Sequence, residues 1–181
     1  VLASEDSPVF LVPAMEVAAS LWMEEDRLVN VFRTGEGIAW GDHHHRLFCG
    51  SESLFRPGYK AFLANDWISA MDGVAEKLTR GGTVADVGCG HGASTIVLAQ
   101  AFPKSFFTGF DNHKPSVEIA MDRATEAGVA GNIEFETNDA QSYPTNSFDL
   151  ICFMDCLHDM GDPVGAARHA AKALKPDGSV M

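Results

Sequence analysis

Basic residues are scarce in this chain: 13 Lys and Arg stand against 25 Asp and Glu, which gives a formal net charge of −12. The sequence pI is about 4.8. A protein that binds the phosphate backbone of a nucleic acid needs clustered Lys and Arg to neutralise it. The composition therefore predicts no nucleic-acid partner.

Cysteine is also sparse, and the four thiols form neither a C-x-x-C pair nor a dense scaffold: Cys49, Cys89, Cys152 and Cys156. This usage predicts reduced thiols in a cytoplasmic protein. No apolar run has the length of a membrane span, and no signal peptide opens the chain, so we predict no membrane association. Val1 is not an initiator Met, and the chain stops where a strand should begin after Pro176-Asp177-Gly178. We therefore expect a fragment that is incomplete at both ends.

Apolar residues are plentiful, at 46% of the chain with 12 Phe, which is enough for one sizeable core. In the N-terminal part we predict a strand remnant at Val9–Val12 and a helix from Pro13 to about Phe32. Residues 35–56 are rich in Gly and His, and we predict an irregular segment there. A second long helix is expected from about Pro57 to Leu78, because apolar residues recur at helical spacing.

From Thr83 onward the pattern changes to an alternation of strands and helices. Strands are predicted at Thr83–Val87, Phe106–Phe110, Ile133–Glu136 and Phe148–Phe153. Helices are predicted at about 93–102, 115–127 and 163–174, the last with Asp162 as its N-cap. Alternating units of this kind predict an α/β fold with a parallel sheet and helices on both faces.

A glycine-rich turn follows the first of these strands, in the segment Asp86-Val87-Gly88-Cys89-Gly90-His91-Gly92. Glycines at such a turn let a ligand approach the main chain closely. Gly88-x-Gly90-x-x-Ala93 also fits the dinucleotide fingerprint, and Asp111 lies about 20 residues beyond it, where an acid would bind ribose hydroxyls. Spacing alone therefore leaves a nicotinamide dinucleotide open as the ligand. A P-loop is excluded, because no Gly-Lys-Ser/Thr follows.

Asp86-x-Gly88-x-Gly90-x-Gly92 resembles motif I of the class I S-adenosylmethionine-dependent methyltransferases. Asp111, Asn138-Asp139-Ala140 and the segment from Phe148 to Asp159 match later family positions in the correct order. The resemblance implies a Rossmann-like, doubly wound, mainly parallel sheet that binds S-adenosyl-L-methionine and methylates a small-molecule acceptor. The cofactor-binding residues that it implies are Asp86, Gly88, Cys89, Gly90, Gly92, Asp111, Asn112, Asp139, Ala140 and Asp155.

Charge supports the methyltransferase interpretation over the nicotinamide alternative. S-adenosylmethionine carries a net positive charge, whereas a dinucleotide brings a pyrophosphate. Residues 81–103 contain no Lys or Arg, and acids lie at the predicted strand ends. Such a site suits a cation, although helix N-termini alone can hold a pyrophosphate.

The first 80 residues resemble more loosely a group of bacterial methyltransferases with an N-terminal winged-helix dimerisation module. Phe32–Gly37, Phe55–Tyr59 and His158–Pro163 match that group. The resemblance implies a helical connector or lid at 1–80, with a winged-helix remnant, ahead of a C-terminally incomplete cofactor-binding domain at 81–181. It also implies a homodimer in the full-length protein. Tyr59 is our candidate for reaching the cofactor carboxylate.

Two histidine features have competing interpretations. His158 follows the fourth strand, where an imidazole is placed to take a proton from an acceptor hydroxyl or amine. It is equally well explained as a loop residue bonded to Asp155 or Asp159. His43-His44-His45 suggests a metal site, but no Cys or carboxylate set completes it at ligand spacing, so we predict a loop and no metal.

Two rival functions remain open at this point. One is a nicotinamide-dependent oxidoreductase. The other is a regulatory protein that keeps the cofactor-binding fold without turnover, since function resides in sites and is not fixed by the fold.

Overall fold

A computed structural model describes residues 1–5 and 7–181 of the chain. They form two compact units, Val1–Ala61 and Phe62–Met181. None of the helices in these residues is long and apolar enough to cross a membrane.

The first unit is helical. Its helices are α1 (Pro13–Met23), α2 (Glu25–Thr34) and α3 (His45–Gly58), with a 3-10 turn at Trp40–Asp42 between the last two. Helix α3 packs closely on α1 at Gly50, where a Cβ atom would lie 2.9 Å from the backbone nitrogen of Val17. The absence of a side chain at Gly50 therefore permits the contact between the two helices.

Several sequence predictions for this unit are wrong in detail. Val9–Val12 form turns and loop, where a strand was predicted. The predicted helix from Pro13 to Phe32 is divided at Glu24, whose carboxylate turns inward to bond His43 Nδ1 (2.8 Å) and the backbone nitrogen of His44 (2.6 Å). The segment at residues 35–56, which was expected to be irregular, contains most of α3. Gly50 within it permits helix packing and does not form a turn.

The predicted helix from Pro57 to Leu78 is also interrupted. Pro57 lies near the end of α3, and a π-helical segment follows at Tyr59–Ile68. Helix α4 (Val74–Arg80) begins after Gly73, which has a φ of 73°. A continuous α-helix cannot pass through that left-handed backbone, so the apolar periodicity alone was misleading.

The second unit contains the α/β alternation that the sequence predicts. In order along the chain its elements are β1 (Thr83–Val87), α5 (Ala93–Ala101), β2 (Phe106–Asp111), α6 (Lys114–Glu126), β3 (Ile133–Thr137), β4 (Phe148–Cys152), α7 (Pro163–Ala173) and β5 (Leu174–Val180). These bounds confirm the predicted strands and helices to within about a residue. Asp162 is the N-cap of α7, accepting a hydrogen bond from the Gly165 backbone nitrogen at 2.8 Å. Strand β5 starts at Leu174, earlier than the expected turn.

The sheet of this unit has the order β3-β2-β1-β4-β5, and neighbouring strands are parallel. Ala85 and Val87 pack with Ala170 of α7 in one core cluster. Asp86, between them, points to the opposite face and meets Ser94 of α5. Alternate residues of β1 thus face helices on opposite sides of the sheet, which confirms the doubly wound Rossmann-like fold.

The strand order reverses beside β1, since β2 and β3 lie on one side of it and β4 and β5 on the other. In open sheets of this kind, ligands bind in the crevice outside the carboxyl ends of the strands at that reversal. The fold therefore directs attention to the loops that follow β1, β2, β3 and β4.

Candidate functional site

The glycine loop, residues 88–92, follows β1 and is hydrogen-bonded to the end of β2. The backbone nitrogens of Gly88 and Cys89 both donate to the carbonyl oxygen of Phe110, at 2.7 and 3.1 Å. The loop closes on itself where the Gly92 nitrogen donates to the Cys89 oxygen at 2.9 Å. These bonds fix a tight turn directly at the predicted cofactor site.

Close packing against Gly88 explains the need for glycine there. Its φ is 77°, and a Cβ atom would lie 2.7 Å from the Sγ of Cys156. Cys156 comes from the segment after β4, and its thiol donates to the carbonyl oxygen of Val87 at 3.0 Å. Nothing local in the sequence relates Cys156 to the loop, so this contact was not predictable.

Asp86 lies beneath the loop and is fully buried. Its Oδ2 accepts hydrogen bonds from Ser94 Oγ (2.6 Å) and Thr95 Oγ1 (2.7 Å), while its Oδ1 has no hydrogen-bond partner among residues 1–5 and 7–181. Burial raises the pKa of Asp86, with the nearby Asp111 charge acting in the same direction and the two hydroxyls against it. Neither hydroxyl was predicted as a partner of Asp86, although the position of both in the first helical turn after the loop was a usable signal.

Asp111 at the end of β2 holds the middle of the loop. Its Oδ2 accepts from the Gly90 backbone nitrogen at 2.8 Å, and its Oδ1 accepts from the His113 nitrogen at 2.8 Å. A carboxylate has about four acceptor positions, so both oxygens can accept further hydrogen bonds. Asn112, next in the chain, is exposed.

The segment after β3 is tied to the same acid. The Asn138 backbone nitrogen donates to the carbonyl oxygen of Asp111 at 2.9 Å. Asp139 is exposed, and its Oδ1 accepts from the Gln141 backbone nitrogen at 2.8 Å. Ala140 is half-buried. The structure thus brings the predicted adenine-edge segment alongside Asp111.

The segment after β4 presents Asp155 and His158 at the same edge. Asp155 is exposed and has a φ of 54°, an unusual backbone conformation for a residue other than glycine. His158 is also exposed: its Nδ1 lies 3.8 Å from Asp155 Oδ1, and its Nε2 lies 3.4 Å from Asp159 Oδ1. Both carboxylates therefore flank the imidazole, which leaves the catalytic and the loop interpretation of His158 open.

Tyr59 belongs to the first compact unit, and the other predicted site residues belong to the second. Its ring stacks on Phe55 with centroids 6.2 Å apart. Its predicted contact with the cofactor carboxylate stays a prediction.

The three consecutive histidines lie in the first unit as well. His43 bonds Glu24, and the Nδ1 of His44 accepts from the Arg46 backbone nitrogen at 3.3 Å. Within the described part of the chain, no group of three His, Cys, Asp or Glu side chains is arranged to hold a metal ion.

The sheet order and the acid-rich edge around the glycine loop define a Rossmann-like cofactor-binding domain. Residues 78–181 match the protein family described as "Methyltransferase domain", a match that covers more than half of the chain. The chain therefore belongs to the class I S-adenosylmethionine-dependent methyltransferases.

Relatives and solved structures agree with this assignment. The chain is 34% identical over 143 residues to 27-O-demethylrifamycin SV methyltransferase of Amycolatopsis mediterranei, covering 77% of this chain and 50% of that protein. It is 29% identical over 184 residues to 2-methyl-6-phytyl-1,4-hydroquinone methyltransferase of Synechocystis, covering 93% and 56%. An O-methyltransferase family protein from Burkholderia thailandensis shares the fold, with a TM-score of 0.72 at 20% identity over 96% of this chain and 53% of that one. The chain thus spans about half the length of these relatives.

Proposed function

We propose that this chain is the cofactor-binding part of an enzyme that transfers a methyl group from S-adenosyl-L-methionine to a small organic acceptor. One observation carries the proposal: acids occupy the carboxyl edge of the sheet around a glycine loop, and one of them has a buried oxygen that bonds none of the residues described. Asp86 Oδ1 and the free acceptor positions of Asp111 suit a ligand with a cationic group and hydroxyl donors. A pyrophosphate would meet negative charge at the same place.

Each predicted site residue has a proposed part in holding the cofactor. Asp111 would accept hydrogen bonds from the ribose hydroxyls, and the loop at residues 88–92, Cys89 included, would lie against the ribose and amino-acid parts. Asn112, Asp139 and Ala140 would border the adenine, while Asp86 and Asp155 would face the positive charge. Tyr59 is the candidate for the carboxylate. When bound, the cofactor supplies an activated methyl group, so the protein must chiefly align the acceptor and exclude water.

His158 is proposed as the base of the reaction. It follows β4 at the same edge as the glycine loop, and carboxylates on both sides orient its ring. An imidazole held in this way can take a proton from an acceptor hydroxyl or amine as that atom attacks.

The acidic net charge and the reduced thiols favour a cytoplasmic protein that does not bind nucleic acid.

Binding calorimetry tests the proposal against both rivals. We expect S-adenosylhomocysteine to bind and NADH to show no binding, whereas the oxidoreductase interpretation predicts the opposite. Turnover with a panel of small hydroxylated acceptors separates an enzyme from a regulatory protein that binds the cofactor alone.

Asp111→Ala is the variant that locates the site. Because a charged hydrogen-bond partner contributes about 1.5–3 kcal/mol, its loss should weaken S-adenosylhomocysteine binding at least about tenfold. Asp122→Ala, which removes an exposed acid on α6, controls for the change in net charge. Unchanged affinity in a well-folded Asp111→Ala protein contradicts the proposed role.

We further propose that the first unit carries a homodimer surface. Leu21, Trp22 and Phe32 are exposed at 44%, 77% and 88%, beside a groove of about 580 Å³ along α1 and α2. Glu25, Val29 and Arg33 follow one another at four-residue spacing on α2, so an antiparallel partner copy would set Glu25 against Arg33 on both sides of Val29. Sedimentation should show a dimer that Phe32→Glu dissociates, and a monomeric wild type would refute this.

A further inference from the structure

Phe135 on β3 contacts the glycine loop from below, although it lies two strands away from β1. Register places Phe135 beside Gly109 of β2, and Gly109 beside Asp86 of β1. These three residues form a row across the sheet, on the face that α5 and α6 cover. Phe135 is 7% exposed, so its ring is buried on that face.

Two glycines leave the space that the ring occupies. A Cβ atom at Gly109 would lie 2.6 Å from Phe135 Cε1, closer than real carbon atoms approach. A Cβ atom at Gly92 would lie 2.7 Å from Phe135 Cζ. The flank of the ring therefore rests over Gly109, and its tip supports the last glycine of the loop.

The two halves of the loop are held differently. Gly88, Cys89 and Gly90 are bonded through their backbone nitrogens to the end of β2, at Phe110 and Asp111. Within the described part of the chain, the backbone of Gly92 bonds to the loop and to α5, through its nitrogen to Cys89 and its oxygen to Ile96. Among these described contacts, the Phe135 ring is what supports the Gly92 end from the sheet.

We infer that Phe135 is a positioning residue for the cofactor: its ring sets the height of the Gly90–Gly92 turn above the sheet. The inference rests on the proposed function. A gap of 0.5–1 Å beneath the turn forfeits a quarter to a half of the van der Waals attraction at each contact, and it lets the turn settle. A binding site held that loosely loses much of its affinity.

Phe135→Leu removes the ring tip while keeping an apolar side chain. Its matched control is Phe107→Leu, the same substitution at a fully buried residue two positions before Gly109 on β2. Both variants should lose stability to a similar extent, because both leave a cavity. Only Phe135→Leu should weaken S-adenosylhomocysteine binding by roughly tenfold in calorimetry, with the control within about twofold of wild type.

A second substitution separates packing from positioning. Phe135→Met also leaves a cavity on this face of the sheet, but its longer side chain can still reach beneath Gly92. It should therefore bind S-adenosylhomocysteine more tightly than Phe135→Leu at a similar melting temperature. An affinity that simply follows the melting temperature across Phe135→Met, Phe135→Leu and Phe107→Leu would overturn the inference, because Phe135 would then act through packing alone.

Residual dipolar couplings of backbone N–H bonds make the test independent of turnover and of the ligand, and unlike chemical shifts they do not depend on the ring current of Phe135. The couplings of Gly90 and Gly92 should change in Phe135→Leu and stay near those of wild type in Phe107→Leu. Unchanged couplings with wild-type affinity would refute the role of Phe135. If the wild type itself binds no S-adenosylhomocysteine, the proposed function fails, and the couplings decide the role of Phe135 in loop geometry by themselves.

Discussion

Asp86 and Asp149 are buried acids on neighbouring parallel strands of one sheet. Asp86 lies at the carboxyl end of its strand and Asp149 at the amino end of its own, and these two ends of the strands are called the two edges. Asp86, near the carboxyl end of β1, has two hydroxyl partners on one oxygen and none on the other in the described structure. Asp149, near the start of β4, accepts from the Thr83 nitrogen (2.8 Å), from Thr83 Oγ1 (3.0 Å) and from Lys175 Nζ (2.7 Å).

Their pKa values move in opposite directions as a result. Burial dominates at Asp86 and raises its pKa. Burial also acts to raise the pKa of Asp149, but the Lys175 bond, the Thr83 bonds and the Lys175 charge together outweigh it and hold that pKa below its ordinary value. Asp149 is satisfied by protein partners, as buried polar groups usually are, whereas the proposed function gives the unused acceptor of Asp86 to the ligand. The two edges should therefore respond differently to mutation.

The largest effect is expected at the loop edge, from His158→Ala. If His158 is the base, the rate should fall about 100-fold while affinity for S-adenosylhomocysteine stays near that of wild type. The pH–rate profile should also lose the limb that a general base contributes. Rate, affinity and melting temperature are to be measured on the same preparation.

The loop interpretation of His158 makes the opposite forecast. A histidine that only bonds Asp155 or Asp159 would affect stability, and activity would follow the folded fraction. A normal rate per folded molecule would contradict the catalytic interpretation of His158. It would also weaken the assignment of the carboxyl ends of the strands, near Asp86, to function.

At the opposite edge, Asp149→Asn should lower the free energy of unfolding by about 2 kcal/mol, because it removes a charge-assisted bond to Lys175. Cofactor affinity per folded molecule should not change. Since the pKa of Asp149 is lowered on folding, its stabilisation is present above the ordinary carboxyl range and is lost as pH falls through the folded value. Urea unfolding at neutral and acidic pH, with Asp122→Asn as the exposed control, measures this. A reduced affinity with unchanged stability would contradict the division between the two edges.

The sequence was informative where structure is local. Pro163, Asp162 and the glycine turn after Val87 are signals within a few residues of the elements that they delimit, and the α/β order from Thr83 onward was predictable from them. Gly50 contributed to the wrong prediction of an irregular segment, because a glycine is needed there for contact with α1 and not for a turn in its own segment. Phe135 on β3 and Cys156 after β4 reach the glycine loop from parts of the chain remote in sequence. No spacing rule could therefore have connected them to Asp86 or Asp111. Ser94 and Thr95 were within reach of sequence reasoning and were missed.

The smallest effect, and the sharpest test of the comparison, is Asp86→Asn. The amide oxygen can accept from Ser94 and Thr95 as the carboxylate does, and the substitution removes a buried charge that has no cationic partner among the described residues. The amide NH2 takes the place of Oδ1 and finds no acceptor there in the described structure, which offsets part of the gain from removing the charge. Stability at neutral pH should therefore stay within about 1 kcal/mol of wild type. Cofactor affinity should fall, because the negative charge facing the bound cation is lost.

The free energy of unfolding should depend on pH with opposite signs for Asp86 and Asp149. Because folding raises the pKa of Asp86, its contribution to stability is fully present below the ordinary carboxyl pKa of about 3.9, where the side chain is protonated in both states. That contribution is lost as pH rises through the folded value, because the folded protein must then bury the ionised form. The difference in unfolding free energy between wild type and Asp86→Asn should thus move against the wild type as pH rises. For Asp149→Asn the difference should move in favour of the wild type over the acidic range. If this difference changed with pH in the same direction for both variants, the Asp86 oxygen that has no partner in the described structure would be hydrogen-bonded in solution. Asp86 would then no longer differ from Asp149, and the support for a cation site beside the glycine loop would be lost.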